Sequence, residues 1–244
     1  MAESLLEAAG LTKRYGGLLA NNGVSMRLTA GEIRGLIGPN GAGKTTFVNL
    51  LTGIERADAG RIRLGGIELG GLPAHRIAAH GLVRTFQVAR VFESLSVRDN
   101  LLLPFLAAGS PGGVGAGLAR ADELLALATL QPLAGNLAGT LSGGQRMLLQ
   151  ACAGFMLPSL RLYVLDEPFA GINPVLKDTL IELILRENGQ GRAFLIVSHE
   201  MEVVRRLCPI VTVMIEGTVA AEGTLADVAR RPEVIAAYLG RSTA

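Results

Sequence analysis

The feature that most constrains the fold is a glycine-rich segment at residues 38–46, which reads Gly-Pro-Asn-Gly-Ala-Gly-Lys-Thr-Thr. It fits the pattern GxxxxGK followed by Ser or Thr, and it lies between a mostly apolar run, Ile33–Ile37, and a helix-like stretch, Lys44–Leu51. The glycines let backbone N–H groups turn toward phosphate oxygens, and the helix start adds a positive partial charge there. A glycine turn with a solvated lysine is the alternative, and the flanking strand and helix disfavour it. The segment therefore predicts a phosphate-binding loop in an α/β fold.

The residues of this loop have expected roles at a bound nucleotide. Lys44 should reach the β- and γ-phosphates, and Thr45 should place its hydroxyl on Mg²⁺. The nucleotide contacts expected from the loop are Gly38, Pro39, Asn40, Gly41, Ala42, Gly43, Lys44, Thr45 and Thr46.

Two adjacent carboxylates, Asp166 and Glu167, follow the apolar run at residues 162–165. Because the carboxyl ends of parallel strands meet at one edge of a sheet, Asp166 is expected to face the phosphate loop and to help hold Mg²⁺. Glu167 is then placed to orient and polarise an attacking water. Without the upstream loop, the two carboxylates would indicate only a solvated turn. With it, they predict hydrolysis of a nucleoside triphosphate.

The order of elements predicts one domain with an insertion. Strand-like runs occupy the chain up to about residue 66 and return after residue 160, each beside a helix-like stretch. Helical stretches dominate residues 88–159, which we interpret as a helical subdomain inserted in a nucleotide-binding core of residues 1–87 and 160–244. Strands that alternate with helices predict a mostly parallel sheet covered on both faces. Residues 225–239 are expected to be helical and to close the domain.

Composition and charge disfavour several other classes of protein. Hydrophobic residues make up 49% of the chain, but the most membrane-like stretch, residues 101–119, is interrupted by prolines and glycines and is interpreted as a short helix followed by a flexible loop. The net charge of +2 and the scattered basic residues give no nucleic-acid footprint. Cys152 and Cys208 have no CxxC partner and are expected to be buried thiols. No secretion signal opens the sequence, so a cytoplasmic location is expected.

The pentapeptide at residues 141–145, Leu-Ser-Gly-Gly-Gln, resembles the signature sequence of ABC ATPases, and the other elements of that family follow in order over nearly the whole chain. The resemblance implies that Tyr15 stacks on adenine, that Gln87 touches Mg²⁺ or the attacking water, and that His199 contacts the γ-phosphate. Taken singly, they could be a surface aromatic, a polar loop residue and a core histidine. The resemblance also implies a P-loop, RecA-like α/β core with a mostly parallel sheet, an N-terminal antiparallel β part and an inserted helical subdomain.

In this family the signature motif acts on the nucleotide of a second subunit. The hydroxyl of Ser142 and the amides of Gly143 and Gly144, at a helix start, form an anion site, and Gln145 completes the motif. The resemblance therefore implies a pair of ATPase subunits, identical or different, with two ATP molecules sandwiched between them. Residues 171–173, Gly-Ile-Asn, match the loop that crosses to the partner, where many members have Ser-Ala-Leu-Asp.

Several stretches look like the ATPases of branched-chain amino-acid importers. This likeness implies a peripheral subunit on the cytoplasmic face of the inner membrane, docked under integral membrane permease subunits and served by a substrate-binding protein. The apolar Val88, Val91 and Phe92 are expected to lie in a groove that receives a permease helix. The stretches are residues 36–46, 84–87, 91–92, 170–174 and 232–240.

Other functions remain as alternatives. Members of the same subgroup import urea, short amides or aromatic acids, and departures from the subgroup pattern at residues 150–154, 198–200 and 208–209 leave that choice open. An ABC mechanoenzyme acting on DNA or ribosomes would usually carry coiled coils, zinc modules or a second ATPase domain. A GTP switch would carry Asn-Lys-x-Asp, and the sequence has no Asn-Lys pair.

Overall fold

Two β-sheets organise the part of the chain that the computed structural model describes, residues 4–239. The strands are β1 (Ser4–Tyr15), β2 (Leu18–Thr29), β3 (Ile33–Ile37), β4 (Ala59–Leu64), β5 (Ile67–Glu68), β6 (Leu82–Arg84), β7 (Leu162–Asp166), β8 (Ala193–Val197), β9 (Ile210–Ile215) and β10 (Thr218–Gly223). The first sheet has the order β2-β1-β4-β5 and is antiparallel throughout. The second has the order β10-β9-β3-β8-β7-β6 and is parallel except for its edge strand β10.

Helices connect the parallel strands and cover the larger sheet. They are α1 (Lys44–Leu51), α2 (Ala74–Ala79), α3 (Val97–Ala107), α4 (Val114–Leu127), α5 (Gly143–Phe155), α6 (Pro174–Asn188), α7 (Met201–Leu207), α8 (Leu225–Val228) and α9 (Pro232–Leu239). Three of them, α3 to α5, lie within the stretch that the sequence predicts to be helical, residues 88–159.

The larger sheet is covered on both faces. Its strands place successive side chains on opposite faces, so each strand contributes to two hydrophobic clusters. In β7, Tyr163 and Leu165 pack with the helices, whereas Leu162 and Val164 pack with α1 and the antiparallel sheet. Every residue of β3, β7 and β8 is buried. The predicted fold class, a mostly parallel α/β core with an antiparallel β part and inserted helices, is confirmed.

The loop predicted after the first inserted helix is partly wrong. Residues 101–107 belong to α3, as expected, but residues 114–119 begin α4 instead of forming a flexible loop. One glycine in this segment, Gly117, has a packing role: a Cβ there would come within 2.5 Å of the Phe105 ring, so glycine lets α4 lie directly against α3. The buried hydrophobic side chains of α3 and α4 belong to one core that continues into the larger sheet.

The helical structure predicted at residues 225–239 is confirmed, with one interruption. The structure has two short helices there, α8 and α9, with the break just before Pro232. Proline disfavours helical backbone at the residue before it, which explains the interruption. Gly240, the last residue of the subgroup stretch 232–240, lies outside the described residues. None of the helices that the structure describes is long and apolar enough to cross a membrane.

Candidate active site

The glycine-rich loop follows the carboxyl end of β3. At two of its positions the neighbouring backbone is so close that only glycine fits. A Cβ at Gly38 would meet the Met214 carbonyl oxygen at 2.1 Å. A Cβ at Gly43 would meet the Ala20 carbonyl oxygen at 2.4 Å, and Gly43 has φ +92°, which side chains rarely adopt. The loop therefore packs against the antiparallel sheet on one side and against the β9–β10 end of the larger sheet on another side.

Helix α1 begins inside this loop with its first backbone N–H groups free of a side-chain cap. Such a helix start is a ready anion site, because the amides and the helix dipole both favour negative charge. Lys44, at the first helical position, folds back so that its Nζ donates to the carbonyl oxygens of Gly38 at 2.7 Å and Pro39 at 3.0 Å. Burial lowers the pKa of Lys44, while Glu167 and Asp166 oppose that shift, so the ammonium shares one electrostatic environment with both carboxylates.

The two carboxylates occupy the same sheet edge as the loop, at the end of β7. Asp166 is buried, with 5% of its surface exposed. Glu167 has φ +49°, an uncommon conformation for a residue other than glycine, and its N–H donates to the Val197 carbonyl at 2.9 Å. Backbone strain of this kind persists only where the surroundings hold it, and it often marks functional sites.

His199 emerges beside these carboxylates, two residues after the end of β8. Its Nδ1 lies 2.9 Å from Oε2 of Glu167, and its ring is 68% exposed. The two atoms are close but not aligned as a hydrogen bond, so the buried Oε2 has no hydrogen-bond donor among the described residues. Glu167 therefore has hydrogen-bond acceptor capacity that its neighbours in the chain leave unused.

Arg84, at the end of β6, makes a contact to Asp166 that the sequence did not indicate. Its Nη2 donates to Oδ2 of Asp166 at 2.8 Å, and its Nη1 donates to Oδ1 of Asn49 at 2.6 Å. Asn49 in turn donates to Glu55, which also contacts the Tyr15 hydroxyl. Burial raises the pKa of Asp166, and the Arg84 guanidinium opposes that rise. The only sign of this contact in the sequence was a charged residue at the end of a short strand.

Gln87 lies in a turn that a buried residue of α5 holds at both ends. Gln150 Nε2 donates to the Phe86 carbonyl oxygen at 3.0 Å, and Gln150 Oε1 accepts from the Arg90 N–H at 2.8 Å. The side chain of Gln150 thus connects the helix that begins at the signature motif to the turn that carries Gln87. The sequence marked Gln150 only as the first residue of a departure from the subgroup pattern, without indicating this contact.

Of the three apolar residues expected to contact a permease helix, only two are exposed. Val88 is 79% exposed and Phe92 is 62% exposed. Val91, in contrast, is half-buried and packs against the main hydrophobic core. A charge at Val91 would therefore disturb the core, so only Val88 and Phe92 are free to meet another molecule.

One cavity of about 600 Å³ brings most of the expected site residues together. Tyr15 and Gln87 line it along with the loop and both carboxylates, so the expected base end and phosphate end face the same space. Its lining residues are Tyr15, Leu18, Leu19, Ala20, Asn40, Gly41, Ala42, Gly43, Lys44, Thr45, Thr46, Gln87, Asp166, Glu167, Val197, Glu216 and Gly217.

The oxygen donors in this cavity fit a magnesium ion that arrives with a nucleotide. Asp166, Thr45 and Gln87 supply carboxylate, hydroxyl and amide oxygens, which are hard donors of the kind that Mg²⁺ prefers. Among residues 4–239, no group of three or more His, Cys, Asp and Glu side chains could hold a metal by itself. Waters and phosphate oxygens would complete the ion's coordination at such a site.

The signature residues lie away from this cavity in the same chain. Ser142 caps α5: its Oγ accepts from the Gln145 N–H at 3.3 Å, and Gln145 Oε1 accepts from the Ser142 N–H at 2.9 Å. Ser142 and Gly143 are exposed, and Gly144 packs closely on Ile172 and Leu176. The motif therefore presents a capped helix start to the surroundings and not to the chain's own phosphate loop.

The segment at residues 171–173 links that region to α6. Asn173 caps α6 by accepting from the Leu176 N–H at 3.0 Å, and Ile172 is buried. Gly171 is exposed and has φ +71°. Gly171 and Asn173 are exposed, whereas Ile172 is buried, and the Asn173 side chain fixes the start of the helix.

Both cysteines are free and buried, which confirms that expectation. Burial raises the pKa of each thiol, Cys152 and Cys208, to about 12. The thiols are therefore uncharged at neutral pH and take no part in the chemistry of the cavity.

Comparison with known protein families gives two matches. The family model described as ABC transporter matches residues 21–170, and the model described as branched-chain amino acid ATP-binding cassette transporter matches residues 218–244. Both agree with the positions of the loop, the carboxylates and the C-terminal stretch.

Similar proteins and structures cover nearly the whole chain. The high-affinity branched-chain amino acid transport ATP-binding protein BraF of Pseudomonas aeruginosa is 38% identical over 99% of this chain and 100% of its own length. The probable branched-chain amino acid transport ATP-binding protein LivG of Archaeoglobus fulgidus is 35% identical over 97% of this chain and 95% of its own. A crystal structure of a nucleotide-free ATP-binding cassette from an ABC transporter has a TM-score of 0.86 at 29% identity, covering 98% of this chain and all of that one.

Proposed function

This chain belongs to the ABC transporter family as an ATP-hydrolysing subunit, and on that premise we propose which of its residues carry the reaction. The glycine loop and Lys44 bind the phosphates of ATP, and Tyr15 stacks on its base. Glu167 accepts a hydrogen bond from the attacking water and takes its proton, while Gln87 and His199 position the water and the γ-phosphate.

The observation that carries this proposal is the placement of Glu167. It stands at the end of β7 in a strained backbone conformation, in the cavity that contains Lys44, and it carries a buried oxygen without a hydrogen-bond donor. His199 lies beside that oxygen and is exposed enough to meet a phosphate. These positions are what a general base for water attack requires.

Magnesium belongs to this proposal as a partner of the nucleotide. Asp166, Thr45 and Gln87 would hold it, directly or through water, together with phosphate oxygens. When bound, the ion supplies positive charge that offsets the charge developing on the transferred phosphoryl group. The residues of the chain then need only to hold the reactants and to accept the proton.

ATP binding and ATP hydrolysis by variants of Lys44 and His199 test these roles. Lys44→Ala should weaken ATP binding, because it removes the cation that faces the phosphates. His199→Ala should bind ATP within about twofold of wild type but hydrolyse it at least about tenfold more slowly, since its group acts on the reacting atoms. Nucleotide affinity by calorimetry and phosphate release measure both. Equal hydrolysis by His199→Ala and wild type would overturn its assignment.

We further propose that two such subunits close on two ATP molecules. Ser142 and the amides of Gly143 and Gly144 form an anion site at the start of α5, and these residues do not line the cavity that holds the chain's own phosphate loop. A second subunit placed with two-fold symmetry would bring that site to the γ-phosphate. Hydrolysis then removes the phosphate that joins the halves, and the subunits separate.

The transport role adds a membrane partner and a cargo. We propose that exposed Val88 and Phe92 contact an integral membrane permease and that the subunit works at the cytoplasmic face of the membrane. The cargo is a branched-chain or similarly apolar amino acid, delivered by a substrate-binding protein. The similarity to BraF and LivG, which are branched-chain amino acid transport ATP-binding proteins, supports this choice.

Reconstitution with the permease tests coupling and cargo separately. Val88→Asp and Phe92→Asp should keep the ATPase rate of the isolated subunit but abolish its stimulation by permease and binding protein. Radiolabelled leucine uptake should depend on ATP in the complete system. Uptake of urea, a short amide or an aromatic acid in place of leucine would contradict the cargo while leaving the ATPase assignment intact.

A further inference from the structure

The magnesium-side carboxylate already has a cationic partner within the chain. Arg84 donates to Asp166 at 2.8 Å, and the two side chains are 8% and 7% exposed. Water has little access to this pair, so its attraction is screened far less than that of a surface ion pair. Lys44, the other cation beside the carboxylates, also donates to two loop carbonyls.

Arg84 is held in this position from its other side. Its second terminal nitrogen donates to Asn49 at 2.6 Å, and Asn49 donates to Glu55 at 2.6 Å. The backbone N–H of Asp166 donates to the Thr85 hydroxyl at 3.1 Å, which fixes the neighbouring strand end. Because both terminal nitrogens of the guanidinium donate hydrogen bonds, its positive charge is held in a fixed position beside Asp166.

We propose that Arg84 takes the place of a divalent cation at Asp166 and thereby makes magnesium binding depend on the nucleotide. The inference rests on the proposed role of Asp166 as the magnesium-side carboxylate. A free Mg²⁺ ion that reaches the cavity meets a carboxylate already neutralised by Arg84. The triphosphate adds several negative charges and oxygen ligands, which tip the balance toward the ion. The subunit therefore does not fill its site with metal before ATP arrives.

Metal binding without nucleotide gives the direct test. Arg84→Gln keeps a hydrogen-bond donor but removes the charge, so Mn²⁺ alone, measured by electron paramagnetic resonance at pH 8, should bind at least about tenfold more tightly than to wild type. Arg84→Lys keeps the charge and should bind Mn²⁺ as weakly as wild type. Arg98→Gln is the control, because Arg98 pairs with Asp122 at 2.9 Å on a more exposed surface.

Thermal stability supplies a readout that does not depend on hydrolysis. Without metal, Arg84→Gln should melt below wild type, because it leaves a buried carboxylate without its partner. Mg²⁺ alone should raise the melting temperature of Arg84→Gln but not that of wild type. The double variant Arg84→Gln with Asp166→Asn should lose this response to Mg²⁺, since the buried charge is gone.

The outcomes separate this inference from the proposed function. Equal Mn²⁺ affinity in Arg84→Gln and wild type, or an equal thermal response to Mg²⁺, would overturn the countercharge role even if the wild-type protein hydrolyses ATP normally. A wild-type protein that binds no ATP in the presence of Mg²⁺ would instead overturn the proposed function.

Discussion

Replacing Gln150 with methionine should loosen the turn that carries Gln87 without disturbing the phosphate loop. Gln150 is 8% exposed and makes one hydrogen bond to each side of the turn, to the Phe86 carbonyl and from the Arg90 N–H. Methionine has a similar volume, so the change removes the two hydrogen bonds while leaving the packing of α5 nearly intact.

The magnitude follows from those two bonds. Each contributes about 0.5–1.5 kcal/mol net, so the variant should lose about 1–3 kcal/mol in the free energy of unfolding. The effect on catalysis should be larger than the effect on binding, because a shift of about 1 Å in a group near the reacting atoms can cost up to about a hundredfold in rate. Lys44 and the glycine loop are untouched, so ATP affinity should stay within about threefold of wild type.

Urea unfolding, ATP affinity and steady-state hydrolysis measure the three quantities on one preparation. Gln190→Met is the matched control, because Gln190 is exposed and undergoes the same chemical change away from the site. The reasoning is refuted if Gln150→Met hydrolyses ATP as fast as Gln190→Met, or if its ATP affinity falls as far as its rate does.

Three further predictions rest on other contacts. Gly43→Ala should abolish ATP binding and lower stability, because its methyl group would meet a carbonyl oxygen at 2.4 Å; normal ATP affinity in calorimetry would refute the close approach. Glu187→Leu should lower the free energy of unfolding by about 3 kcal/mol in urea, since this fully buried carboxylate pairs with two arginines; a loss below 1 kcal/mol would be too small for that role. Cys152 and Cys208, with pKa values raised to about 12, should react with iodoacetamide at pH 8 far more slowly in the native protein than in urea, and equal rates would show exposed thiols.

The site residues that sequence predicted share a simple physical origin. The glycine loop, Asp166 and Glu167 each lie at or directly after the end of a strand of the parallel sheet, and parallel strands end at one edge. Sequence distance from a strand end was therefore enough to place them near one another. Tyr15 and Gln87 needed the family resemblance, because neither follows from a local pattern.

The residues that sequence missed make contacts across long separations. Arg84 meets Asp166 across 82 positions, and Gln150 meets Phe86 across 64. Such pairings depend on strand order and helix packing, which hydrophobic periodicity does not report. The error at residues 114–119 has a related cause: Gly117 indicated a loop by its local propensity, but its contact with α3 decides the outcome.

Hydrolysis between two subunits that share two ATP molecules requires an ATP-dependent dimer, and the oligomeric state of Glu167→Gln reveals whether one forms. Glutamine keeps size and polarity but does not take a proton, so hydrolysis should fall by about 10² to 10⁴ while ATP still binds through Lys44. Size exclusion with light scattering should show a dimer with ATP and a monomer without it. Adding Ser142→Arg should abolish that dimer, because the new side chain would fill the anion site opposite the γ-phosphate. A Glu167→Gln protein that hydrolyses ATP at the wild-type rate, or that stays monomeric at saturating ATP, would contradict the account.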